Sequence, residues 1–356
     1  MRRSRGRGKA VFVALVLVLA AFAGAGWAGY NWLAIEYQSP GPLQSPMRVQ
    51  VEQGASVRGT LAHLATQGAV ANARAVQFYL RLNRLSPRIQ IGTYEIPAHA
   101  SPAEIITLFD QGRVLLQQLT IVEGTTFGDL RHALDHDPVI AHTTRDKSDA
   151  EVMAAIGHPG EFPEGRFFPD TYRFAEKTTD VEILTLAYNA MEKALEAAWQ
   201  ARSPDLPFDS PYQALTLASV VEKETGLPAE RPRIAGVFVS RLRKGMRLQS
   251  DPTVIYGLGA KYDGDIHTRD LSSDTPYNTY TRSGLPPTPI ALPGREALLA
   301  AVRPQESGEL YFVATATGDG GHHFSRTLEE HNAAVKSYLE RIRSQQASAH
   351  TASAGR

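Results

Sequence analysis

The chain contains no cysteine. That excludes disulfides, thiolate nucleophiles and cysteine-based zinc sites, and is compatible with an oxidising compartment without proving one. There is also no charge imbalance, since 37 Lys and Arg offset 37 Asp and Glu. The body has no long basic run, so neither a global nor a local field recruits nucleic acid. Walker A, GxSxG and dinucleotide-binding glycine motifs are missing. His322, His323 and His331 lack zinc-site spacing, so neither a metal nor another cofactor is expected. What is present is a 43% hydrophobic, 21% charged chain of 356 residues, enough for an anchor and about two domains with a buried core.

Charge is absent again between residues 10 and 35, after the basic start MRRSRGRGK. A bilayer-spanning helix needs about 20 mostly apolar residues, and VFVALVLVLAAFAGAGWAGY supplies them. Trp27, Tyr30 and Trp32 follow as an interfacial aromatic belt. Ala21-Phe22-Ala23 would suit a signal-peptide cleavage site, but the apolar run continues past it. We therefore expect a cytoplasmic basic tail (residues 1–9), a transmembrane anchor (10–33) and an extended Pro/Gly linker (34–47). The positive-inside rule then puts the rest of the chain outside the inner, or plasma, membrane, single-pass with a cytoplasmic N-terminus. A small, polar, disordered tail is expected over 344–356.

Three segments after the linker share one pattern. VEQGASVRGTLAHL, IPAHASPAEIITLF and IVEGTTFGDLRHAL each run from a strand end through a turn to an amphipathic helix. Ser56, Ser101 and Thr126 stand where they can cap the helix N-termini. Such strand-turn-helix units resemble LysM modules, which bind N-acetyl sugars, although the pattern is also a common packing motif.

Farther on, LTLASVVEKETGLP reads as a helix ended by Gly226 and Pro228. Leu217, Val220, Val221 and Glu224 recur at spacings of three and four and so share a face, while Glu222 lies opposite. A carboxyl at the end of an apolar stripe has its pKa raised by desolvation. A carboxylic acid protonated near neutral pH is what glycosidic cleavage needs. Pattern alone would also fit a solvated glutamate at a helix end.

The run ASVVEKET, followed by VFVSRLRKGMRLQSDPTVIYGLG, TPYNTYTRSGLPPTPIALPG and LYFVATATGDGGHHFSRTLEEHN, resembles the YceG-like family of endolytic murein transglycosylases. The likeness extends to EGRFFPDTY and the N-terminal anchor, and so covers nearly the whole chain. It implies that the second Glu of E-K-E-T, Glu224, is catalytic. It further implies cleavage of the β-1,4 bond between N-acetylmuramic acid and N-acetylglucosamine in nascent glycan strands, leaving 1,6-anhydro ends. Termination of glycan polymerisation and partnership with peptidoglycan synthases follow as expectations. Gly226, Pro228 and the doubled His322-His323 depart from the family's usual pattern.

For substrate binding we expect Gln249 and Asp251 in the polar run before Pro252, with Tyr277, Asn278 and Tyr280 as an aromatic-amide cluster suited to sugars. Two other readings remain open at this point. One is a hydrolysing muramidase with Asp251 or Asp170 as second carboxylate; the other is a non-catalytic peptidoglycan-binding scaffold. The expected fold class is α+β: one transmembrane helix, a small LysM-like α+β subdomain (48–118) and a larger mixed α/β catalytic domain (119–343).

Overall fold

The computed structural model describes residues 5–52 and 54–354, with side chains over 9–52 and 54–346. The chain divides into two compact units, residues 1–117 with 174–176, and residues 118–173 with 177–356.

The first unit begins with helix α1 (Arg5–Gln38), whose stretch Lys9–Gln38 is long and apolar enough to cross a membrane. Every side chain from residue 9 to 32 is exposed. A helix apolar on all faces and covered by nothing is stable only in a nonaqueous surround. Strand β1 (Met47–Val51), helices α2 (Val57–Thr66) and α3 (Ala73–Leu82), strand β2 (Gly92–Ile96) and helix α4 (Pro102–Asp110) follow. The strands pair antiparallel from Met47↔Ile96 to Val51↔Gly92. Val49, Val51, Leu61, Leu64, Tyr94, Ile105 and Phe109 form the core between ribbon and helices.

The expected caps are made. Ser56 accepts from the Gly59 amide, and Ser101 forms a reciprocal capping box with Glu104. The linker, in contrast, is not free. Helix α1 runs through Tyr37, which stacks on Tyr79 at 4.5 Å. The segment beyond is tied down by Gly41 N–H to His99 O (3.1 Å) and His99 N–H to Leu43 O (2.8 Å). Gly41 is required there, because a Cβ would lie 2.4 Å from the Ala100 carbonyl oxygen.

Strands β3 (Leu116–Thr120) and β4 (Thr171–Ala175) pair, and the division between the units falls within them. Between them lie α5 (Phe127–His136), capped by Thr126, and α6 (Asp149–Ala155). The second unit continues with α7 (Asp180–Gln200), α8 (Pro211–Glu224), α9 (Arg231–Arg243), α10 (Asp251–Leu258), α11 (Thr268–Ser272) and α12 (Arg295–Val302). Hairpin β5 (Tyr311–Ala314)–β6 (His322–Ser325) and helix α13 (Leu328–Ala354) complete it.

Helix α8 is the centre of this unit. Residues 214–221 are all buried, packed among α7, α9, α10 and α12. Alanines 214 and 218 on α8 and 297, 300 and 301 on α12 line that core and let the helices approach closely. Among the described residues the strands of this unit are confined to two-stranded ribbons, so the expected mixed α/β domain has a helical core with β at its margins. The tail expected from Ser344 instead continues α13 to Ala354, and residues 355–356 lie outside the described part. Its alanines and glutamines favour helix, and Arg341 and Gln345 dock on the carbonyls of Thr315 and Ala316.

Candidate active site

Glu224 is the last residue of α8, and its helical neighbours Leu217, Val220 and Val221 are fully buried. Part of the side chain reaches the surface, while the carboxyl lies among protein groups that displace its water. This desolvation pushes its pKa from 4.5 up to about 7, and the negative charge of Asp251 adds to the rise. Two neighbours oppose it: the Ser250 hydroxyl donates to Glu224 Oε1 at 2.5 Å, and the buried Arg241 guanidinium contributes positive charge.

The loop carrying Ser250 is held by a polar lattice. Successive amides of Gln249 and Ser250 donate to the carbonyl and hydroxyl of Thr279, at 3.1 and 3.0 Å. Thr253 Oγ1 donates to the Ser250 carbonyl (2.6 Å) and meets Thr279 Oγ1 at 2.9 Å. Gln249 sits at φ 51°, left-handed backbone that a non-glycine residue adopts at a cost. Leu248 and Ser250 are buried, while Gln249 between them faces solvent.

Arg241 is 7% exposed, donating Nε to Leu310 O (2.6 Å) and NH1 to Leu248 O (2.6 Å), with its guanidinium over the Tyr311 ring. It therefore braces the segment that leads into the Ser250 loop. Asp251 is exposed at the start of α10 and accepts from the Tyr280 hydroxyl at 2.6 Å. Burial and this carboxylate raise the Tyr280 pKa, keeping the hydroxyl a donor.

A desolvated carboxyl protonated near neutral pH, on a residue that is itself only half-buried, with a hydroxyl and a guanidinium favouring its ionised form, can deliver a proton to a bound ligand and take one back. The model of the YceG-like family matches residues 49–337, which contain all of these groups. The chain belongs to the YceG-like family. It is 30% identical over 315 residues to the endolytic murein transglycosylase of Bacillus subtilis, covering 83% of this chain and 86% of that one. It is 26% identical to the endolytic murein transglycosylase of Streptococcus pneumoniae, covering 93% of this chain and 65% of that one. The crystal structure of a YceG-like protein from Listeria monocytogenes matches with TM-score 0.52 at 29% identity, over 82% of this chain and 99% of that chain.

Within this YceG-like chain the other residues expected at the site divide. Gln249, Asp251 and Tyr280 lie on the segments that meet at Glu224. Asn278 is 1% exposed, and its Nδ2 faces the carbonyls of Asp270, Leu271 and Ser273 while Oδ1 accepts from Tyr280 N–H. It shapes the loop that presents Tyr280. Tyr277 is half-buried, edge-on to Tyr256 and bonded to Thr288. Glu222 is directed away from Glu224 into a pair with Arg231 (2.7 Å), and accepts from the Gly294 amide. Asp170 accepts from its neighbouring Thr171 amide.

Sequence reasoning passed over Arg241, although Ile234, Val237 and Phe238 precede it at helical spacing and place it on the buried stripe of α9. It also passed over Glu164. That carboxyl is 4% exposed, accepts from Phe127 N–H (2.9 Å) and the Tyr256 hydroxyl (3.1 Å), and is raised to about 7 by burial. Gly165 makes its position attainable, with φ +80° and no room for a Cβ, which would meet Pro289 at 2.5 Å. The histidines have their own uses: His322 Nδ1 lies 2.7 Å from Glu230, and His331 stacks on Tyr311.

Proposed function

We propose that this protein is an endolytic murein transglycosylase in which Glu224 serves as both acid and base. Family membership and the named relatives support the activity; the observation that carries the residue assignment is the desolvated Glu224 carboxyl with its pKa near 7. Protonated Glu224 gives its proton to the glycosidic oxygen between N-acetylmuramic acid and N-acetylglucosamine. The C1–O bond breaks with its electron pair on the departing oxygen. The C6 hydroxyl of the same muramyl residue attacks C1, and the Glu224 carboxylate takes the hydroxyl proton. Atoms balance without water, the product is a 1,6-anhydro end, and attack within one sugar gains from proximity.

Ser250 and Arg241 act through Glu224 by stabilising its ionised form after the first proton transfer. Gln249, Asp251, Tyr277, Asn278 and Tyr280 are proposed to bind the glycan directly or to shape the surface that does. The exposed Asp251 carboxyl gives a second reading, a hydrolysing muramidase in which it activates water. Mass spectrometry of digested sacculi separates the two. Anhydromuramic ends support the transglycosylase; reducing muramic ends would establish the hydrolase.

We further propose that α1 anchors the chain in the inner membrane with its basic end in the cytoplasm, so that the rest works outside on nascent strands beside peptidoglycan synthases. The exposure of every apolar side chain from residue 10 to 32 supports the anchor. The region 48–118 is proposed to be a LysM-like subdomain and 119–343 the catalytic domain.

A further inference from the structure

The surface of α3 beside α1 has no role in the chemistry above, yet it combines two unusual features. Its apolar side chains are exposed: Phe78 at 57%, Leu82 at 52% and Leu85 at 47%. Its own stretch of chain is also rich in positive charge, although the Asp110 carboxylate from α4 accepts from the Arg88 amide at 2.8 Å. Between Glu52 and Glu95 there is no acidic residue, whereas Arg58, Arg74, Arg81, Arg84 and Arg88 all occur and all are exposed. None of these five arginines forms an ion pair among the described residues. Arg58, Arg74 and Arg81 line one cavity of about 560 Å³ together with Phe78, Leu85 and Pro87.

The position of this surface is set by α1. Tyr79 stacks on Tyr37 and lies 6.2 Å from Tyr30, and Leu33 packs with Ala75 and Tyr79. The Tyr30 hydroxyl donates to Asn83 Oδ1 at 3.1 Å, which fastens the C-terminal end of α3 to the aromatic belt. Phe78 and Leu82 share a hollow with Gly26, Gly29, Tyr30 and Trp32. Helix α3 thus runs back toward the apolar span. The left-handed turn at Arg84, closed by Leu85 N–H to Leu80 O (2.9 Å), keeps Leu85 at that same end.

We infer that the α3 face is a membrane-surface site that seats Phe78, Leu82 and Leu85 among the lipids where the chain leaves the span, with the arginines on anionic phospholipid headgroups. The inference rests on the proposed anchoring by α1. Apolar groups flanked by unpaired arginines match the interface, where acyl chains adjoin phosphates. Each arginine at an anionic surface is expected to favour the seated state roughly fivefold. The consequence is a unit held against the bilayer rather than swinging on its anchor.

The test uses the full chain, whose lack of cysteine makes any introduced thiol a unique label. Leu85→Cys and Val16→Cys proteins carrying nitroxides are placed in nanodiscs of phosphatidylcholine alone or mixed with phosphatidylglycerol. Collision with oxygen reports lipid, and collision with a nickel chelate reports water. The expected result is that the label at 85 loses nickel accessibility and gains oxygen accessibility when phosphatidylglycerol is present. Arg74→Gln/Arg81→Gln/Arg84→Gln, or high salt, reverses this. If the label at 85 stays water-accessible in both lipids while that at 16 is lipid-buried, the surface site is wrong and the anchor stands. If the label at 16 is itself in water, the anchor reading fails and the site with it. Protection at 85 by added glycan strands and not by phosphatidylglycerol would assign the face to glycan and overturn the lipid proposal.

Discussion

Ser250 donates a 2.5 Å hydrogen bond to Glu224, joining the last residue of α8 to the loop ahead of α10. A donor of this kind favours the ionised carboxyl and so keeps the pKa from rising beyond about 7. Removing it in Ser250→Ala raises the pKa further, by roughly one unit if the bond contributes as hydrogen bonds to charged groups usually do. Activity needs protonated Glu224 in the free enzyme, so the wild-type rate falls as pH passes upward through about 7. In Ser250→Ala that alkaline limb moves to higher pH while the rate below it drops, because the carboxylate formed in the first step is less stable. An unmoved limb in the pH dependence of kcat/KM would contradict the assigned role.

Glu164 allows a prediction about stability rather than rate. Its folded pKa of about 7 lies above the ordinary 4.5, so between these values the folded chain holds a proton that the unfolded chain has released. Stability contributed by this group is complete below about 4.5 and is lost as pH rises toward about 7, by an amount on the order of 3 kcal/mol. Glu164→Gln keeps an acceptor for the Phe127 amide without the ionisation. Thermal unfolding at pH 5 and pH 8 should show a fall in Tm for the wild type that shrinks in the variant. An equal fall in both would mean that the carboxyl does not ionise at a cost.

Asn278 and Tyr280 separate loop shaping from glycan contact. Asn278→Ala removes the two N–H donors that the part-buried carbonyls of Asp270, Leu271 and Ser273 share, a loss of about 1–3 kcal/mol. Tm should fall by several degrees, and activity should fall with it. Tyr280→Phe loses only the bond to the exposed Asp251; Tm should change by roughly one degree or less, given the small contribution of exposed bonds, while kcat/KM falls. The prediction fails if Tyr280→Phe unfolds the chain or Asn278→Ala leaves Tm intact.

Gln249 bears left-handed backbone beside the site. Gln249→Gly relieves that conformation and should stabilise the folded chain by about 1 kcal/mol while lowering activity through a looser Ser250 loop. Denaturant unfolding and turnover measured on one preparation check both halves. A destabilised variant would show that the glutamine side chain holds the loop.

Local rules made several of these elements legible in advance. Ser56, Ser101 and Thr126 cap the helices that they precede, and Leu217, Val220 and Val221 ahead of Glu224 are fully buried, although α8 is buried on its other faces too and the Glu222 side chain is only 4% exposed. Cap chemistry and helical period need only neighbours a few residues away. What was not legible depends on distant partners. Asn278 reads as a sugar-binding amide until the carbonyls of 270, 271 and 273 surround it. Arg241 reads as one cation in the basic run SRLRK until the Leu248 and Leu310 carbonyls take its donors. Glu164 gave no signal at all, because its burial comes from α5, α10 and the Pro289 segment. In the linker, Pro and Gly register only a local preference for extension, and the close approach of Gly41 to the Ala100 carbonyl depends on a distant partner.

The most direct test is digestion of purified sacculi by wild type and by Glu224→Gln, with released fragments identified by mass spectrometry. Loss of the acid/base should lower the rate by roughly 10²–10⁴-fold, with anhydromuramic ends released by the wild type and essentially none by the variant, whose fold and Tm are retained. Full-rate release of anhydromuramic ends by Glu224→Gln would contradict the account.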